Sequence, residues 1–201
     1  MVNNIKRSRG RPRKFDEDEA IRMATNVFWA KGFDGATIDD LVEGMGVGRP
    51  SLYAIFGDKS TLFVRCLEAY REDLGKQAAQ ALFGPTHVRE AIRALLRFSV
   101  ETATDPGSPL GCLMVCVAPL VDDDNVRRFL ITSNEETTKA IAMRLNQGIE
   151  AKELQADFPS EERSRMLADM SRGLRVRARI GVPRQELLED ADRAAELFLH
   201  G

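Results

Sequence analysis

The stretch TIDDLVEGMGVGRPSLYAIFGDKSTLF, residues 37–63, decides the fold. Thr37 is a good N-cap for a short helix over "IDDLVEGM", and Asp40 stands at the third position, where a carboxylate can reach back to the cap as a capping-box Glu does. That helix should end at Gly46. The tight turn "GVG" leads to a second helix, "RPSLYAIF", with Pro50 in its first turn, where a missing N–H costs nothing. Gly57 should close it, and Asp58 or Lys59 should start a long helix through "STLFVRCLEAYREDLGKQAAQAL". Two short helices joined by a three- or four-residue turn containing glycine make a helix-turn-helix, whose second helix enters the major groove of DNA. Here the pair spans about residues 37–56. "GMGVG" is not a nucleotide loop, because Arg49 takes the position of the last glycine in G-x-G-x-x-G and no strand precedes it.

Working outward, the acids from Asp16 to Glu19 suit a helix N-terminus, and Ile21, Ala24, Val27 and Phe28 share one face of a helix that should stop at Gly32. Helical patterns cover nearly all the rest and no alternating strand stands out, so the fold class expected is all-α. A chain of 201 residues with 43% hydrophobic content can bury a sizeable core, in one large or two small domains. There is no internal repeat, no apolar run long enough to cross a bilayer and no apolar core of a secretory signal. A soluble, cytoplasmic protein with no membrane contact is therefore expected.

The matching residues now support a resemblance. Phe28, Gly32 and Phe33 at the close of the first helix, Thr37 and Ile38 at the start of the second, and "GVGRPSLYAIFGDKSTLF" beyond them resemble the DNA-binding domain of TetR-type (TetR/AcrR) bacterial transcriptional regulators over residues 15–62. The resemblance implies a helix-turn-helix domain at 15–61 and an effector-binding and dimerisation domain at 62–201. It also implies that Tyr53 faces DNA and that Lys59 binds a phosphate at a helix N-terminus, whereas Leu52 and Phe56 are read as ordinary packing of the small domain. Arg49 stands where many relatives carry small or polar residues, and a guanidinium there could bond two acceptors on guanine. Ser51 belongs to the same face, and Thr37 could offer its hydroxyl or N–H to a phosphate. The expected partners are a near-palindromic double-stranded operator, a second copy of the chain, and an unidentified small-molecule effector that releases a repressor from DNA. No cofactor is expected, and neither is catalysis.

The first fourteen residues bear on the same reading. They hold six of the 29 basic residues and no acid, which leaves 23 bases against 31 acids on the remaining 187 residues, a formal charge of −8. A basic arm thus sits on an acidic body. "RGRP" at residues 9–12 resembles the core of an AT-hook: Gly10 permits close approach, Pro12 keeps the chain extended, and arginines point into a narrow groove. On the arm alone, a solvated terminus is equally admissible. Beside a helix-turn-helix, Arg9, Arg11 and Arg13 are expected to reach into an adjacent minor groove.

The C-terminal part is less explicit. Helices are expected near 86–104, 110–121 and 124–151, with "SPLGCLMVCVAPL" capped by Ser108 and interrupted by Pro119. The resemblance implies a ligand cavity here, for which Phe98, Cys112, Met114, Val115, Cys116, Phe129 and Met143 are candidate lining. The last two helices carry apolar stripes, Met166, Met170, Leu174 and Ala178, then Leu187, Ala191, Ala194 and Phe198. These serve either the dimer interface that the resemblance implies or the monomer's own core. Cys112 and Cys116 lie four apart on one helix face. Metal binding lacks further ligands at suitable spacing, and nucleophilic catalysis lacks a base. "GCLM" resembles a segment of some TetR-type sensors of reactive compounds, so a thiol-responsive regulator using Cys112, with Arg97 or another base lowering its pKa, is an alternative to a reversible pocket. A non-DNA-binding helical protein or enzyme with a basic tail is a further alternative.

Overall fold

A computed structural model describes residues 16–199, and the basic arm lies outside them. The described chain is all helical, with α1 at Glu17–Lys31, α2 at Ile38–Met45, α3 at Arg49–Phe56, α4 at Lys59–Phe83 and α5 at Val88–Ala103. A single-turn α6 at Leu113–Cys116 and a 3-10 turn at Ala118–Leu120 precede α7 at Asp124–Glu150, α8 at Ser160–Arg179 and α9 at Arg184–Leu199.

Local chemistry sets the first boundaries. Asp16 caps α1 by accepting from Glu19 N–H at 3.1 Å. Thr37 and Asp40 form the full reciprocal box on α2: Thr37 Oγ1 accepts from Asp40 N–H at 3.1 Å, and an Asp40 carboxylate oxygen accepts from Thr37 N–H at 2.9 Å. Lys31 reaches the same carboxylate at 2.6 Å. Lys31, followed by the Thr37 N–H, holds Asp40 down at about 2, so the box stays charged at any ordinary pH. Gly46 ends α2 in the left-handed conformation, at φ +66.

These three short helices close on an aromatic core. Phe28 is fully buried and meets Phe63 of α4 edge to face, with centroids 4.9 Å apart, while Phe33 lies 5.2 Å from the same ring. Leu52 and Phe56 seat α3 on this core, so the opposite face of α3 is turned outward. The core does not stop at the head. It continues through Cys66 and Leu67 on α4 to Leu113, Val117, Ala118 and Val126.

Residues 110–121 depart from the expected helix. Ser108 turns its hydroxyl back to Asp105 at 3.1 Å instead of capping. Gly111 is left-handed at φ +89, with its N–H on Ala103 O at 2.8 Å. A Cβ there would lie 2.9 Å from Arg179 Cβ and 3.0 Å from Cys116 Sγ, so the turn needs glycine. Helix is thus confined to the four residues after Cys112, and Pro119, which cannot donate to Val115 O, tightens the rest into 3-10 geometry.

The larger helical body forms a second core from Ile92, Leu96, Leu145, Leu167 and Leu187 among others. Arg144, almost fully buried, donates to the carbonyls of Leu82, Pro85 and Thr86 at 2.9–3.2 Å and so satisfies the C-terminal end of α4. The apolar stripes on α8 and α9 need correcting as interface candidates. Leu174, Ala178, Leu187, Ala191 and Ala194 are at most 6% exposed, and Met170 and Phe198 are half-buried against the same core. Helical periodicity marks a buried face without naming its partner. Among the exposed charged residues of α8, Met166, Gly173 and Val176 are also turned outward, Ile180 just past its end is 75% exposed, and α9 adds Leu197.

Candidate nucleic-acid interface and ligand cavity

The outward face of α3 carries Arg49, Ser51 and Tyr53, all exposed. Arg49 is the first residue of α3 and is held by α2: its Nε and Nη2 both donate to Asp39 Oδ1, at 3.0 and 2.5 Å. This carboxylate raises the Arg49 pKa further and fixes the direction of the guanidinium, leaving Nη1 free of the pair. Sequence reasoning missed Asp39. Its only signal was an acid in the first turn of one short helix and a base in the first turn of the next.

Tyr53, one turn along, stands about half exposed. Thr37 is exposed; its N–H is given to Asp40 and its Oγ1 accepts from Asp40 N–H, which leaves the hydroxyl proton as the group it can still donate. Lys59 opens α4 with Nζ 4.6 Å from the centroid of Phe33, a cation–π contact that holds its stem on the head. The helix N-terminus behind it is not vacant for an anion. Asp58 occupies it, accepting from Thr61 N–H at 2.7 Å, and is itself stabilised as the anion by that bond. Any anion near Lys59 would therefore meet the lysine's own charge with little help from the α4 dipole.

A cavity of about 1040 Å³ lies between α4, α5, α7 and α8. Phe98, Met114 and Val115 are on its wall, together with Leu95, Ile141 and Ala168. The other pocket candidates lie elsewhere. Met143 is 57% exposed on the outer side of α7, and Phe129 packs on the first core with the Arg71 guanidinium 5.7 Å from its ring. Cys112 is buried behind the wall, and Cys116 is half-buried against α8, with Arg175 O at 3.9 Å from its sulfur. Arg97 is not beside either thiol but pairs with Asp192 of α9 at 2.8 Å. The base near Cys112 is Arg175, whose Nη1 is 3.7 Å from the sulfur, and Tyr70 donates to the same sulfur at 3.5 Å.

Burial raises the Cys116 thiol above its ordinary range and pushes Cys66 up to about 12. Native protein treated with iodoacetamide at neutral pH should therefore leave Cys66 unmodified, whereas denatured protein should be labelled there, as peptide mass spectrometry would report. Rapid native labelling of Cys66 would contradict its packing against Ile21 O. Among the described residues no group of three or more His, Cys, Asp or Glu side chains could hold a metal ion, and no helix is long and apolar enough to cross a membrane.

A three-helix head that turns an exposed Arg49–Tyr53 face outward, carried by a long α4 into a helical body with a cavity, defines a helix-turn-helix, DNA-binding transcription regulator. Residues 20–66 match the family described as bacterial regulatory proteins, tetR family. A cysteine-substituted form of the TetR family transcriptional regulator CifR, solved with 26-base-pair double-strand operator DNA, is 37% identical, with a TM-score of 0.84 over 92% of this chain and 98% of that one. The HTH-type transcriptional repressor ComR of Escherichia coli K12 is 27% identical over 96% of this chain and 94% of its own length. BdcR, an HTH-type transcriptional repressor of the same organism, is 34% identical over 53% of this chain and 54% of its own. The chain belongs to the TetR family.

Proposed function

We propose that the protein is a cytoplasmic, non-enzymatic repressor that binds a near-palindromic operator as a homodimer and leaves it when a small molecule fills the cavity. The repressor names of ComR and BdcR and the operator complex of CifR support the direction of control and the kind of target. In this reading Arg49 reads a base with Asp39 as its buttress, Ser51 lies beside it, and Tyr53, Lys59 and Thr37 meet phosphates. Arg9, Arg11 and Arg13 lie in the neighbouring minor groove. The partner chain docks on the outward faces of α8 and α9, where Met166, Val176, Ile180 and Leu197 present apolar surface.

One observation carries the release step. The short segment 113–120 has a foot in each half: Met114, Val115 and Pro119 line the cavity, while Leu113, Val117 and Ala118 pack into the core of the reading head. A ligand that displaces the cavity side of this segment moves the head side with it. Ser60 on α4 and Asp123, the N-cap of α7, are hydrogen-bonded to each other and tie the same two halves together. The effector acts by favouring a spacing of the two heads that the half-sites do not match, which requires different affinities for the two arrangements. Selection of bound duplexes from a random pool tests the first half of the reading. It should enrich a two-fold symmetric sequence with fixed half-site separation. Enrichment of unrelated duplexes, or of none, would remove the operator from the account.

A further inference from the structure

The cavity contains a charge that the protein does not neutralise. Arg175 of α8 lies on its wall, and among the described residues no carboxylate comes within ion-pair distance of it. Every other arginine on that wall is differently placed: Arg71 is paired with Glu136, and Arg172 with Asp169 at 2.6 Å and with Asn134. Arg175 has two acceptors, neither of them a carboxylate, Cys112 Sγ at 3.7 Å and Ser99 Oγ at 3.3 Å. Its Nε is buried without a partner, and so is Ser133 Oγ on the facing wall of α7.

The surrounding hydroxyls cannot repair this. Ser99 gives its proton to Leu95 O at 3.0 Å, so towards Arg175 and towards Ser171, 2.7 Å away, it is an acceptor. Tyr70 turns its proton to the Cys112 sulfur, and burial together with that sulfur pushes the phenol upward, away from ionisation. The Tyr70 phenol is therefore not an anion for Arg175. A guanidinium has five N–H donors in a rigid fork, and an uncompensated one in an apolar site is costly until a carboxylate arrives. Around it Leu95, Phe98, Met114, Ile141 and Ala168 are apolar, and the carboxylates elsewhere on the wall are not within ion-pair distance of Arg175: Glu136 pairs with Arg71, Glu72 with Lys76, and Glu68 is exposed on α4.

We propose that the cavity binds an amphipathic carboxylate, with its carboxyl on Arg175 beside Ser171 and its hydrocarbon body against Phe98, Met114 and Ile141. This rests on the effector-release reading only for its consequence at DNA. The binding itself stands apart. The apolar body presses on Met114, which belongs to the segment joined to the reading head, so the carboxylate orients the ligand and the hydrocarbon does the displacing.

The test uses octanoate and 1-octanol, equal in chain length and different in head group. Calorimetric titration of wild type, Arg175→Gln and Arg175→Lys is run beside release of a fluorescent selected operator. Wild type should bind octanoate about tenfold or more tightly than octanol, since a charge-assisted bond adds that much. Arg175→Gln should bring octanoate to the level of octanol, Arg175→Lys should keep part of the preference, and dialysis should restore operator binding, since octanoate alkylates nothing. Thermal melts without ligand show whether each variant is folded, and if Arg175→Gln is not, wild type and Arg175→Lys still decide. Equal binding of the two probes by wild type, binding of neither, or an undiminished octanoate preference in folded Arg175→Gln would overturn the carboxylate site. Octanoate bound through Arg175 with the operator still held would keep the site and defeat the release reading. Octanol releasing the operator at the same concentration as octanoate would defeat the carboxylate site and keep the release reading.

Discussion

Phe28→Ala is expected to abolish operator binding by unfolding the reading head, at a cost of about 3–5 kcal/mol. Phe28 is fully buried, its ring edge to face on Phe63 and 6.0 Å from Phe33, so the substitution leaves a cavity at the joint of α1 and α4 and deletes aromatic contacts that add to simple burial. The three short helices have no other core of their own, and α2 and α3, at eight residues each, are too short to persist without it. The second core, with Leu96, Leu145 and Leu187, is separate, so α5 and α7–α9 should remain helical. Urea unfolding followed by circular dichroism should show two transitions in place of one, with the first moved to low denaturant. A single transition at the wild-type midpoint would mean that the ring is not the keystone its packing indicates.

Removal of residues 1–14 has the other large effect. The arm holds six bases, and the first turn of α1 behind it is acidic with Glu17, Asp18 and Glu19, so no other cationic segment can take its place at the N-terminus. Each phosphate neutralised contributes roughly 0.9 to the log–log salt slope, so the truncated protein should show a slope shallower by as much as about 5 for each arm removed and an affinity at low salt lower on the order of a hundredfold. The loss should be larger on operators flanked by A·T pairs, whose narrow minor groove attracts arginine. Equal slopes for full-length and truncated protein would reduce the arm to a solvated terminus.

The helix-turn-helix was legible because its boundaries are set by chemistry within four residues. Thr37 with Asp40, Gly46, Pro50 and Gly57 act locally, and each stands in the structure where its residue type puts it. Residues 110–121 misled for the converse reason. Ser108 and Pro109 look like a helix start, but Gly111 is committed to a left-handed turn by its fit against Arg179 and Cys116, a constraint from 68 residues away that no local pattern carries. The stripes on α8 and α9 show the same limit, since Leu174 and Leu187 are apolar whether they meet their own chain or another. On the outer side of α3, the exposure of Arg49 and Tyr53 was readable and the pairing of Arg49 with Asp39 was not. In the cavity Arg175 was hidden because it is one of six arginines along α8, and only the fold brings it to Ser99 and Cys112.

The claim on which the rest depends is that α3 reads bases through Arg49 while Lys59 meets only the backbone. It is tested by measuring the affinity of wild type, Arg49→Ala and Lys59→Ala for every single-base variant of the selected operator, at two salt concentrations. Arg49→Ala should lose about 1–3 kcal/mol of discrimination at one base pair of each half-site and keep the rest, whereas Lys59→Ala should weaken all duplexes alike and reduce the salt slope by about 1. Wild-type preferences at every position in Arg49→Ala would contradict the account.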